Sequence, residues 1–203
     1  MNKKVKRSII VLIILVGFSV ASVPVYAFLP SGATGCDQTA AYVRQLNPCW
    51  CWAAAAENAN IREGTNYHSQ SYAVYYLKCY HPEYPNVNGS IYDIAAAAEY
   101  ISNFTLDYIA ESNTKPYSFI CDHIYNGHPM VANIYEHNPD GTLGNGHAVL
   151  LMGWNTYSGT QKIKYFDSLG PGTYHELSFY DFCYGTGDAH GRFYEKTAYL
   201  NWN

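Results

Sequence analysis

Residues 45–53 read Gln-Leu-Asn-Pro-Cys-Trp-Cys-Trp-Ala, and three more alanines, Ala54, Ala55 and Ala56, follow at once. Proline fixes its own φ and lacks a backbone N–H. Pro48 therefore predicts the opening of a helix, with Cys51 and the alanines inside it and Gly64 stopping it. A cysteine in a first helical turn lies at the positive end of the macrodipole, which favours thiolate over thiol. Gln45 stands six residues before Cys51, in the loop leading into that turn. From there its side-chain amide can swing beside the sulfur and donate to a developing oxyanion. The same residues also fit a buried or bridged cysteine in an alanine-rich core helix, the ordinary state of a lone cysteine in a secreted protein.

Working outward, the first half of the chain reads as helical. Asp37 can cap a short helix through Gln45, and a further helix is predicted from about Ser71 to Tyr80. Ser90 and Asp93 have capping-box spacing ahead of Ile94, Ala95, Ala98 and Ile101, and Lys115–Asn126 fits a helix ended by Gly127. The second half changes period. Met130–Tyr135, His147–Gly153, Lys162–Asp167 and Glu195–Leu200 read as strands between Gly, Asn and Pro clusters, with a hairpin turn at Tyr157-Ser158-Gly159. Helices first and an antiparallel sheet second make an α+β fold.

Two strand ends carry further chemistry. Gly144-Asn145-Gly146 precedes His147 at the mouth of an apolar strand, a rigid mount for a general base with small neighbours that leave room for substrate. Asp167 closes the next strand, so antiparallel pairing brings it toward the start of the previous one. An acid there accepts the imidazole N–H, fixes the tautomer and steadies the imidazolium. Taken singly, these are a strand-end histidine and a turn-forming aspartate; the order Gln, Cys-Trp, His, Asp is what gives them meaning together.

On these residues the chain resembles the papain-like cysteine peptidases. The resemblance is to the compact branch similar to bacteriocin-processing peptidases, staphopains and related plant-pathogen effectors. Gln45, Cys51, Trp52 and Ala53 match the Gln-x₅-Cys-Trp-Ala pattern, and His147, Ala148, Val149 and Gly153 match the His-Ala-Val strand with its following glycine. Asp167-Ser168-Leu169-Gly170 looks like the Asp-Pro-x-x-Gly segment of that branch, where Asp replaces the Asn of papain. The resemblance runs from about Cys36 to Asp181. It implies a two-lobe fold, with the cysteine helix on one lobe and His and Asp on a sheet in the other. It also implies a catalytic Cys51, His147 and Asp167, with Gln45 and the Cys51 backbone N–H as the oxyanion hole. Cys51 lies only 23 positions after Phe28, so control by a long cleaved prodomain is not expected. Cys49 is not part of the family pattern; a bridge to Cys79 or Cys36, or a second oxidisable thiol, would account for it.

Composition bounds the setting. The chain has 203 residues, 48% hydrophobic and 16% aromatic, enough for one globular domain. Lys3, Lys4, Lys6 and Arg7 precede the apolar stretch Ile9–Val23, and Val25-Tyr26-Ala27 offers small residues at the −3 and −1 positions of a cleavage site. This is the layout of a secretory signal peptide, so residues 1–27 are expected to be removed and 28–203 to form the peptidase domain in the medium or at the cell surface. Residues 28–203 hold 8 basic against 16 acidic residues, a charge of −8, which disfavours nucleic acid and, after cleavage, stable membrane association. The six cysteines, Cys36, Cys49, Cys51, Cys79, Cys121 and Cys183, read as disulfides in an oxidising compartment, yet a nucleophilic Cys51 leaves an odd number to pair. Cys121, His123 and His128 do not converge along a helix, so no metal and no cofactor are expected. The expected activity is hydrolysis of peptide bonds in peptide or protein substrates. Deamidation or transpeptidation by the same machinery, and a disulfide-stapled binding module with Cys51 bridged, are the alternatives.

Overall fold

The computed structural model describes residues 34–36, 41–78, 87–137, 142–157, 159–185 and 192–200. Five helices are described: α1 (Cys51–Glu63), α2 (Gln70–Lys78), α3 (Ile91–Ile101), α4 (Tyr117–Tyr125) and α5 (Phe179–Tyr184). The strands are β1 (Thr34–Cys36), β2 (Tyr108–Glu111), β3 (Met130–His137), β4 (Leu143–Asn155), β5 (Lys162–Asp167), β6 (Thr173–Ser178) and β7 (Arg192–Leu200). They form one antiparallel sheet in the order β2-β7-β3-β4-β5-β6, and β1 pairs with the far half of β4. The fold is α+β.

Helix α1 is buried along Trp52–Asn60. Its alanines leave little beyond backbone width, so α2 and α3 can approach it closely on one side and the sheet on another. Gly64 ends it in the left-handed conformation, φ 73°, where a glycine carries no Cβ penalty. Trp52, Ala53 and Ala56 share one core with Ile94 and Ala98 of α3 and with Val131, Ala148, Leu150, Met152 and Phe166 of the sheet. The opposite sheet face is buried too, through Met130, Ala132, Ile134, Val149 and Leu151. Both faces being covered explains why His147–Gly153 reads as a nearly continuous apolar run rather than an alternating one.

Several expectations hold. Ser90 and Asp93 form the capping box, Gly64 stops α1, and Gly127 (φ 89°) follows α4. The turn after β4 is closed by Gly159 N–H donating to Thr156 O at 3.0 Å; Ser158 lies outside the described residues. Others are corrected. Helix α1 begins at Cys51 rather than Pro48, because Trp50 N–H donates to Asn47 O in a turn that precedes it. Helix α2 begins at Gln70 and is described to Lys78; Cys79 and Tyr80 lie outside the described residues. Residues 41–45 are not helical, and Asp37–Ala40 lie outside the described residues.

That segment is held extended by two buried carboxamides standing in for a neighbouring strand. Asn58 of α1 accepts from Val43 N (2.7 Å) and donates to Val43 O (2.9 Å). Gln70 of α2 accepts from Leu46 N (3.0 Å) and donates to Arg44 O (2.9 Å). Backbone groups satisfied in this way no longer call for a helix. Gln70 is itself fixed by the buried Glu57 carboxylate, which accepts from its side-chain and backbone nitrogens, both at 3.0 Å.

Candidate active site

Cys51 is the first residue of α1, so its sulfur lies where backbone N–H groups have no partner within the helix. Backbone hydrogen bonds from Trp52 and Ala148 reach it, and the His147 ring is hydrogen-bonded to it. Ala148 follows His147 on β4, so two successive residues of one strand address the same thiol.

Register sets the next link. Leu150 pairs with Phe166 across β4 and β5, which puts Asp167 level with Val149 and within side-chain reach of His147. The contact is short: His147 Nε2 lies 2.6 Å from Asp167 Oδ1. With Nε2 engaged there, Nδ1 is the ring nitrogen left for Cys51. The same Asp167 oxygen accepts from Leu169 N at 2.8 Å, which fixes the carboxylate in the turn after β5. Both side chains are largely out of water, 12% and 8% exposed.

Charge follows geometry. Burial alone would push the Cys51 thiol up. The hydrogen bond and charge of His147, with the Ala148 and Trp52 backbone bonds, outweigh it and hold the thiol below its ordinary value. Burial works against a charged His147 as well, yet Asp167 and Cys51 raise it to about 9. Both shifts run toward the charged forms of the two groups. The other buried thiols behave oppositely, burial pushing Cys121 up to about 12 and Cys183 to about 11. Cys51, Cys121 and Cys183 are free thiols in the structure, as a nucleophilic Cys51 requires. The partners considered for Cys49 do not come within view: Cys79 and the side chain of Cys36 lie outside the described residues.

Gln45 sits in the loop before α1, as expected, with its amide nitrogen turned onto that loop. Nε2 donates to Asn47 O (3.1 Å) and Pro48 O (2.8 Å). Ser168, next to Asp167, accepts from Gln45 N at 3.0 Å and donates from its hydroxyl to Gln45 Oε1 at 3.3 Å. Ser168, Gln70 and Glu57 are the residues that sequence reasoning missed here. Glu57 and Gln70 are polar positions among buried residues of helices, and that was the available signal. Elsewhere, His123 stacks on Phe119 and His128 contacts Glu63 at 3.2 Å.

No protein-family model and no curated protein sequence matches the chain. Solved structures do. A Bacillus anthracis protein described as a C39-like peptidase superposes with TM-score 0.53 at 10% identity, over 84% of this chain and 98% of that one. Digestive procathepsin L 3 of Tenebrio molitor gives 0.54 at 14%, over 88% and 72%. A structure bearing on the mite allergens Blo t 1 and Der p 1 gives 0.55 at 16%, over 89% and 74%. The chain has a papain-like fold.

Proposed function

We propose that the chain is a secreted cysteine peptidase working through Cys51, His147 and Asp167. The carrying observation is the hydrogen-bonded series from the Cys51 thiol through His147 to Asp167 at 2.6 Å, at the first turn of a buried helix. The Cys51 thiolate adds to the scissile carbonyl, and the oxygen takes up negative charge facing the Cys51 backbone N–H; the Gln45 amide joins it by giving up one of its bonds to Asn47 O and Pro48 O. His147 gives its proton to the leaving nitrogen as the C–N bond breaks, leaving an acyl group on sulfur. His147 then takes a proton from water, whose oxygen attacks the thioester; the acyl–sulfur bond breaks, the acid leaves, and thiolate and protonated imidazole are restored. Asp167 keeps the imidazole in the tautomer and orientation that both steps need.

The papain-like fold, shared with the structures above, supports peptide or protein substrates. The basic, apolar, Val-Tyr-Ala series of residues 1–27 supports export with cleavage before Phe28. The test has two parts. Protein spanning residues 28–203 should cleave members of a fluorogenic peptide library, and Cys51→Ala should abolish cleavage with folding intact. N-terminal sequencing of protein from culture medium should begin at or near Phe28; cytosolic protein beginning at Met1 would refute export. Release of ammonia or amine exchange without peptide cleavage would redirect the same machinery to deamidation or transpeptidation.

A further inference from the structure

Beside the reacting groups lies an open pocket of about 290 Å³ between the start of α3 and the β3–β4 face. It adjoins the site at two points. Gly146 precedes His147, and Gly89 lies against the ring of Trp52, the residue after Cys51. Ile91, Ser112, Asn133, Tyr135 and Asn145 are among the residues that line it. None of the described residues lining it is charged.

Asn133 gives the pocket a definite polarity. The residue is 7% exposed, and its Nδ2 donates to the Tyr135 hydroxyl at 3.2 Å. Among the described residues nothing donates to its Oδ1. A Cβ placed on Gly146 would sit 3.2 Å from that oxygen and 3.1 Å from the Tyr135 ring. The glycine therefore leaves open the space through which a ligand reaches Asn133 Oδ1.

We infer that this pocket selects a substrate side chain that is uncharged and donates a hydrogen bond, the glutamine or asparagine class, with Asn133 as the specificity-determining residue. An aliphatic chain would cover an acceptor that then has no donor, and a carboxylate would meet an acceptor rather than a donor. An ammonium would lose its water without gaining a countercharge. The occupant belongs to the acyl segment, because that segment stays tethered to Cys51 through both chemical steps and profits from being held in one register. The inference rests on the proposed acyl chemistry at Cys51 but not on hydrolysis as its outcome.

The test is alkylation of Cys51 by N-acetyl dipeptidyl chloromethyl ketones, in which sulfur displaces chloride and no amide need be cleaved. Gln, norleucine, Glu or Lys is placed in turn at each of the two residues. In the wild type, Gln at one position should react about tenfold or more faster than norleucine or Glu, the usual size of a hydrogen bond that is otherwise left unmade. Asn133→Leu should remove that advantage, and Asn133→Asp should shift it to Lys. The rate with iodoacetamide, which uses no pocket, should stay the same in all three proteins. Norleucine or Glu reacting fastest in the wild type, or a Gln advantage that survives Asn133→Leu, overturns the inference. Peptide cleavage with equal rates across the set would sink the pocket and leave the peptidase standing. The Gln pattern without peptide cleavage would do the reverse.

Discussion

Gln45 and Ser168 are joined twice, once through the Gln45 backbone N–H and the Ser168 carbonyl at 3.0 Å, and once through the Ser168 hydroxyl and Gln45 Oε1 at 3.3 Å. The second contact occupies the amide oxygen and so turns the amide nitrogen toward the start of α1, where it meets Asn47 O and Pro48 O. Because Ser168 follows Asp167, one short turn orients both the histidine's partner and the expected oxyanion donor.

Deleting that donor should cost turnover more than thiol reactivity. Gln45→Ala is expected to lower kcat by about 10²–10³-fold with little change in KM, the usual effect of losing one oxyanion donor. Iodoacetamide alkylation of Cys51 forms no oxyanion, and its rate should stay within about tenfold of wild type. Loss of both together would assign Gln45 to shaping the Asn47–Trp50 turn instead.

Removing the orienting hydroxyl should have a smaller effect of the same kind. Ser168→Ala leaves the backbone bond to Gln45 in place and loses one neutral hydrogen bond, so kcat should fall by about 2- to 10-fold. A drop as large as that of Gln45→Ala would mean that Ser168 acts on His147 through Asp167.

Asp167→Asn should be tolerated better than Asp167→Ala, since either native or Asn side chain can accept from the His147 N–H. Equal and complete loss in both folded variants would show that the charge is required. No loss in either would assign the orienting role elsewhere.

The pH profile of kcat/KM should be bell-shaped. His147 must keep its proton, so activity should fall as pH rises through about 9. The acid limb should lie below the ordinary thiol range, since Cys51 ionises more readily than a free thiol. Asp167 raises His147, so its removal lowers the histidine's pKa and the alkaline limb of Asp167→Ala should move to lower pH. An unmoved limb would assign it to another group.

Gly89 offers a stability test away from the reacting atoms. A Cβ there would stand 2.4 Å from the Trp52 ring, which is buried and donates from Nε1 to Val87 O at 2.9 Å. Gly89→Ala must displace that ring and should destabilise the protein by about 1–3 kcal/mol, the range for overpacking. Chemical denaturation with an unchanged midpoint would show that the ring relocates freely.

What the sequence disclosed and what it hid divide along local and non-local lines. Gly64, Ser90 and Asp93 announce helix ends through chemistry within four residues of themselves, and those ends are found, whereas Pro48 announces the start of α1 three residues early. The meeting of His147 and Asp167 was legible because one hairpin joins their strands. Strand β2 escaped because its four residues owe their conformation to β7, almost ninety positions away. Edge strand β6, largely exposed, has no apolar face to show a period and is defined by pairing with β5. The missed helix α5 did carry a signal, Ser178 accepting from Asp181 N at 3.0 Å, in the spacing already recognised at Ser90. The pairing of Val43 with Asn58 and of Leu46 with Gln70 left no pattern, since a side-chain amide replacing a strand has no period.

The place of β7 bears on when the molecule becomes competent. This strand, residues 192–200, follows every other described strand yet lies inside the sheet between β2 and β3. A ribosome delivers the Cys51 helix, the His147 strand and the Asp167 turn before it. Until it arrives, β2 lacks its neighbour and β3, which sets the register of β4 around His147, has one edge open. The sheet that carries His147 and Asp167 is thus complete only after a strand made later than both has docked between β2 and β3.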